Sequence, residues 1–213
     1  GAPIGVAIGM SSAVSMICMI PADVSFATSA QRIFAGSNSF SLIAIPFFIL
    51  AGNIMNNGGI ATRLVNCAKV ISGRMPGALA QSNVVANMLF GAISGSGAAA
   101  AAAMGGTIGP LEEKEGYDKN YSTAVNVASA PVGMLIPPSN TMIVYSSVAG
   151  SVSIAALFMA GYIPGLLWGG AVMILAGIMA KKRGYQAEQR VPVKVALKTF
   201  WQAIPSLLLI VIV

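Results

Sequence analysis

The chain has 213 residues, of which 56% are hydrophobic and 8% charged, with a formal net charge of +6 and no histidine. A soluble domain carries about 25% charged residues, so this composition, with a mean hydropathy of +0.79, excludes a solvated surface and places the chain in a membrane. The missing histidine excludes Ser-His and Cys-His catalysis, histidine metal ligands and histidine proton relays; the basic residues lie in short loops between apolar runs, the positive-inside pattern, not in the basic, aromatic-bearing stripe of a nucleic-acid binder.

In chain order, Ile4–Ile20 predicts a membrane helix ended by Pro21-Ala22-Asp23, and Ser25–Ser37 a short interfacial piece with Gln31 and Arg32. Phe40–Met55 predicts another span, containing Pro46 and stopped at Asn56-Asn57-Gly58-Gly59. Residues 1–57 are thus expected to be scaffold helices. Over Ile60–Met75, the residues Ile60, Leu64, Cys67, Ala68 and Ile71 share a helical face, interrupted by Arg63, Lys69 and Arg74. Residues 58–77 therefore predict an amphipathic arm, either lying on the membrane surface or forming an extramembrane connector. Cys18 and Cys67 show no metal-binding spacing and read as small hydrophobes; Met10, Met16 and Met19 read as packing residues.

Residues 78–109 are apolar but break at Ser94-Gly95-Ser96-Gly97. As one helix they would run ~48 Å against a ~30 Å hydrocarbon core, whereas two arms of ~24 Å each fit a re-entrant hairpin. Residues 110–150 comprise an acidic loop, expected to be a solvated turn, and a span from Tyr121 to Gly150. The loop sets Glu112, Glu113, Glu115 and Asp118 against Lys114 and Lys119; the span breaks at Pro137-Pro138-Ser139-Asn140-Thr141. A further span, within residues 151–180, carries Pro164. Residues 181–200 form a basic connector with Lys181, Lys182, Arg183, Arg190, Lys194 and Lys198, and residues 201–213 open another span. The start at Gly1-Ala2-Pro3 and the end inside an apolar run lead us to expect a piece of a longer protein. The charge pattern agrees with the hairpin: if 78–109 does not cross, the Arg63–Arg74 cluster, the acidic loop and the Lys181 cluster all share one face.

The two breaks carry the chemistry. Unpaired backbone at membrane depth survives only inside protein or along a cavity, and carriers hold substrate and coupling ion at such helix breaks. The glycines at 95 and 97 permit positive φ and close approach. The prolines free carbonyls, and Ser139, Asn140 and Thr141 add two hydroxyls and an amide. The helix beginning at the Ala98–Ala103 run presents its N-terminus to the first break, where anions are favoured. Neither broken segment contains an acid, so proton coupling lacks its titratable group. Neutral oxygens suit a hard cation, and Na⁺ is the expected coupling ion, with Ser94, Ser96, Ser139 and Asn140 as its ligands. Asn83, Asn87 and Asn126 are expected to support the site through interhelical hydrogen bonds.

The sequence resembles the large membrane subunit of TRAP transporters, the tripartite ATP-independent periplasmic transporters. The resemblance rests on Gly1-Ala2-Pro3-Ile4-Gly5-Val6-Ala7, Ala44-Ile45-Pro46-Phe47-Phe48-Ile49-Leu50-Ala51-Gly52, Met88-Leu89-Phe90-Gly91-Ala92-Ile93-Ser94-Gly95-Ser96, Ile136-Pro137-Pro138-Ser139, Gly116-Tyr117-Asp118 and Ala160-Gly161-Tyr162-Ile163-Pro164-Gly165-Leu166-Leu167. It implies an all-α, elevator-type, Na⁺-driven importer of organic acids in a bacterial or archaeal inner membrane. It also implies a soluble extracytoplasmic binding protein that delivers the substrate, and a small membrane subunit, separate or fused. The chain looks like the first of two inverted repeats. Ser94, Gly95, Ser96 and Gly97 match the first hairpin tip, and Pro137, Pro138, Ser139 and Asn140 match the broken helix that helps hold sodium. Ser139-Asn140-Thr141 is also similar to a motif of the divalent anion/sodium symporters. The alternative is a carrier or channel-like protein that works without a binding protein. An enzyme is disfavoured, because the serines lack a base and Lys114 and Lys119 lie in a loop. No cofactor is expected beyond Na⁺.

Overall fold

A computed structural model describes residues 1–38, 46–47, 50, 54, 58–150, 152–187 and 192–212. Most of the expected span Phe40–Met55, with the matching stretch Ala44–Gly52, Asn56-Asn57 and Arg190, lies outside the described residues. Every regular element among the described residues is a helix. They divide into two compact units, residues 1–43 and residues 44–213.

In the first unit, α1 (Ile4–Ile17) is apolar all round and buries none of its residues, as a lipid-facing helix does. It ends three residues earlier than the sequence pattern suggests. Pro21 caps α2 (Ala22–Ser37) at φ −51°, close to the angle at which helices start. The expected interfacial piece is therefore a full helix, with Asp23 in its first turn favouring the N-terminal dipole.

In the second unit the helices are α3 (Ile60–Ser72), α4 (Ala78–Ser94), α5 (Gly97–Thr107), α6 (Gly109–Lys114), α7 (Lys119–Ser129), α8 (Val132–Leu135), α9 (Asn140–Ala149), α10 (Ile154–Arg183) and α11 (Val193–Ile212). The central element is α4. One of its faces packs Ala86, Phe90 and Ile93 against Ala61, Leu64, Val65 and Ala68 of α3 and Ala100 and Met104 of α5. The other packs Leu79, Ala80 and Val84 against Tyr121 and Val125 of α7 and Ala176 and Ala180 of α10. Because α4 and α5 share the first core, the chain folds back at the Ser-Gly-Ser-Gly break. The packed face of α3 differs from expectation: Ile71 is 51% exposed, and Ser72 is buried instead. The reason is a polar contact. Ser72 Oγ meets Ser82 Oγ of α4 at 2.9 Å, and a buried hydroxyl needs such a partner.

Close approach, not bulk, shapes the rest. Within a bilayer small residues let helix backbones touch, and Gly161, Gly165, Gly169 and Gly177 line the inner side of α10. A methyl group at Gly165 would lie 2.9 Å from Ile136 Cγ1, and one at Gly177 2.9 Å from Gln81 Nε2. At Gly161 it would run into the carbonyl oxygen of Leu135. This side of α10 seats α8 and Ile136, just before the Pro-Pro break. Gln81 uses the contact for a hydrogen bond, donating from Nε2 to the carbonyl oxygen of Met173 at 2.8 Å.

The far end of α10 is fastened to the acidic loop. Tyr185 stacks on Tyr117 with centroids 4.2 Å apart, and its hydroxyl accepts from the Asp118 N–H at 2.8 Å. Asp118 caps α7, accepting from the Tyr121 N–H at 2.9 Å; that contact and Arg183 hold its carboxyl below the usual range. The Arg183–Asp118 pair, 3.1 Å apart with both side chains about two-fifths exposed, adds little on its own.

Among the described residues, α10 with 30 residues is long and apolar enough to cross a membrane. The broken pair Lys119–Leu135 and Asn140–Ala149, bent by 52°, passes the same test when taken together. Its first part carries a feature the sequence reading passed over: Pro131 and Ala130 form a turn that sets off α8.

Candidate functional site

The two breaks meet. Gly95 ends α4 in the left-handed region at φ +62°, its N–H bonded to the Gly91 carbonyl. Glycine is required there twice over, for that φ and because a methyl group would fall 2.9 Å from Asn140 Cγ and Nδ2. Asn140 Nδ2 in turn donates to the carbonyl oxygen of Ser94 at 3.4 Å. Gly97 approaches the other side of the break, with Met134 Sδ 2.8 Å from where its methyl would be.

Both breaks finish in the same local structure. Ser96 sits at φ −133°, ψ 116° and caps α5, accepting from the Ala99 N–H at 3.3 Å. Ser139 sits at φ −128°, ψ 120° and caps α9, accepting from the Met142 N–H at 3.4 Å. A serine Ncap has this extended backbone and leaves its oxygen a second lone pair. The Pro137–Pro138 peptide is cis, and both prolines are buried, as is Ser139. Ser94 Oγ lies 3.4 Å from both the N–H and the carbonyl oxygen of Ser96. Asn140 Oδ1 is buried with no hydrogen-bond partner.

Of the nine site residues read from the sequence, the structure therefore brings together Ser94, Gly95 and Asn140 directly. Ser96 and Gly97 sit one step along the first break, and Pro137, Pro138 and Ser139 lead into Asn140. Thr141 is exposed on α9. The C-terminal end of α4 and the N-terminal ends of α5 and α9 converge here. Helix C-termini favour cations and N-termini anions, so one locus offers both. The buried Asn140 amide oxygen without a partner and the hydroxyls of Ser94, Ser96 and Ser139 are neutral oxygens, the donor type a hard cation takes.

Asn83, Asn87 and Asn126 lie away from the tip; Asn87 precedes Ser94 by seven residues, ~10 Å along the helix. Asn87 Nδ2 lies 2.9 Å from Asn83 Oδ1, 2.9 Å from Asn126 Oδ1 and 2.8 Å from Ser129 Oγ. Asn126 Nδ2 donates to the Ala101 carbonyl at 2.9 Å. The three asparagines thus tie both hairpin arms to α7.

Two features went unread in the sequence. Gly91 and Gly133 press backbone on backbone, a methyl at Gly91 lying 2.6 Å from the Gly133 Cα. Small residues within apolar helices were the available signal. The second is a correction. The acidic loop is not merely a solvated turn, because Glu112 on α6 is 1% exposed. Ile108, between α5 and α6, is anchored in the first core, while Glu113 and Glu115 stay on the water-facing side.

Comparison with known proteins gives the context. The chain matches, over residues 1–213, the family model described as tripartite ATP-independent periplasmic transporter, DctM component. It is 53% identical over its full length to the uncharacterized protein YgiK of Salmonella typhimurium, covering 49% of that protein. It is 36% identical to the sialic acid TRAP transporter large permease protein SiaM of Vibrio cholerae, covering all of this chain and 49% of that protein. It is 39% identical over 204 residues to the isethionate TRAP transporter permease protein DctMQ of Oleidesulfovibrio alaskensis, covering 96% of this chain and 31% of that protein. The chain spans about half the length of the first and second of these relatives.

Proposed function

Because the chain belongs to the DctM component family of tripartite ATP-independent periplasmic transporters, we propose that it forms one half of the large membrane subunit of a Na⁺-coupled importer of small organic acids. The observation that carries this reading is the direct contact of the two breaks, Asn140 Nδ2 on the Ser94 carbonyl, beside an Asn140 Oδ1 that has no partner. Na⁺ would be held by Ser94, Ser96, Ser139 and Asn140, and the substrate carboxylate would face the N-terminal ends of α5 and α9. No acid lies in either broken segment, which favours sodium over protons at this locus.

The hairpin of α4 and α5 enters and leaves on the cytoplasmic face of the inner membrane in this reading, because that places the basic clusters inside. The hairpin and the broken helix would move together past a scaffold in an elevator motion. The relatives named for sialic acid and isethionate support a small acid as the substrate; the tripartite, periplasmic description of the family supports delivery by an extracytoplasmic binding protein and a small membrane subunit, separate or fused. Since the chain spans half a permease, its site would be completed by the second half.

Uptake by the whole complex in vesicles is the test. Imposing an inward sodium gradient at constant pH should drive accumulation of a C4-dicarboxylate, sialic acid or isethionate only when the binding protein is present. Accumulation on a proton gradient without sodium would refute sodium coupling, and full activity without a binding protein would refute the tripartite reading.

A further inference from the structure

Beneath the hairpin, away from the two breaks, lies a cavity of about 360 Å³. Its lining includes Asn83, Glu112, Glu113, Lys119, Ser122 and Asn126. Glu112 is its unusual member: the residue is 1% exposed and its Oε1 is buried without a hydrogen-bond partner, with the side chains of Ser122 and Asn83 beside the carboxylate. A buried carboxylate with one oxygen left without a partner is costly, and the usual remedy is to take up a proton or a cation. Three facts favour the proton. Glu112 is the single fully buried acid of the cavity. No group of three or more His, Cys, Asp or Glu that could hold a metal occurs among the described residues. Lys119 lines the same space and would repel a metal ion.

We propose that Glu112 is a proton-binding site at the base of the hairpin, separate from the two breaks, and that its charge is sensed by the asparagine cluster that holds the hairpin to α7. The path is short: Asn83 lines the cavity and accepts from Asn87 Nδ2, which also faces Asn126. The groups facing Glu112 are few. On its own helix and the following loop are Glu113, Lys114, Glu115, Tyr117 and Asp118. From α7 come Lys119 and Tyr121, and α4 and α5 contribute no titratable side chain. Burial drives the carboxyl from its ordinary 4.5 up to about 7, against the pull of Ser122 and Asn83.

The sign of the pH effect follows. A folded-state pKa above the ordinary one means that the folded protein binds the proton more tightly. Stability is then full below the ordinary value and falls as pH rises toward about 7. Tests on the purified full-length permease need no transport, so they stand apart from the proposed function. Infrared spectra in sodium-free buffer should show a protonated-carboxyl band that titrates near neutrality and vanishes in Glu112→Gln. The melting temperature of the parent should fall between about pH 5 and about pH 8.5, and that of Glu112→Gln should not. Ser122→Ala, which removes a hydroxyl that favours the charged form, should move the midpoint upward. An identical titration in parent, Glu112→Gln and Ser122→Ala would overturn the proposal. So would a midpoint that sodium drives down by tenfold or more, which would make the cavity a metal site.

Discussion

Replacing Asn140 by alanine in the full-length permease is expected to lower sodium-driven uptake by roughly tenfold or more at limiting sodium, with much of the loss regained at high sodium. A hydrogen bond or ligand bond to a charged group contributes about 1.5–3 kcal/mol, and each 1.4 kcal/mol is a factor of ten in affinity. Asn140 does two things at once. Its amide nitrogen ties the second break to the Ser94 carbonyl, and its amide oxygen is left over, buried and unpaired. Alanine removes both. Thr141→Ala, one residue further on but exposed, should change uptake far less. Sodium titrations of uptake for the two variants, each normalised to the amount of folded permease, check this. Equal effects of the two substitutions would mean that the breaks matter only as a bend.

The second large effect is on folding. Gly133→Val should destabilise the protein by about 3 kcal/mol or more, the range of severe overpacking. At Gly133 an added methyl would run into the Cα of Gly91 and lie 2.8 Å from the Asn87 carbonyl oxygen. Backbone cannot yield as a flexible side chain does. Gly106→Ala, on α5 where nothing lies within 4 Å, is the control and should be neutral or slightly stabilising. Thermal unfolding of the two variants in detergent gives the comparison. The consequence reaches the site, because α8 carries Met134 beside Gly97 and leads directly into the Pro-Pro break.

How much of this was legible in the sequence depends on the length scale of the signal. Glycine and proline act on the chain locally, so the breaks at Gly95 and Pro137 could be read directly, as could their polar residues. The Ser96 and Ser139 caps follow from the same logic, since serine at an extended position before an apolar run starts a helix. Burial depends on partners far along the chain. Ile71 lost its place in the α3 face to Ser72 because Ser82, ten residues on, supplies a hydroxyl partner. Glu112 sits in a run of charges that reads as solvated, and only the fold places it under Asn83 and Ser122. The docking of Gly91 on Gly133 likewise joins residues with no local signature. That the two breaks touch was not written in either one; it follows from α4 and α8 packing side by side.

The most direct measurement is the melting temperature of the purified full-length permease in sodium against equimolar potassium. A ligand that binds the folded state alone raises that temperature. The parent should melt higher in sodium, and the double variant Ser96→Ala, Asn140→Ala should melt at the same temperature in both salts. A sodium-specific rise of equal size in parent and double variant would place the ion elsewhere and contradict the account.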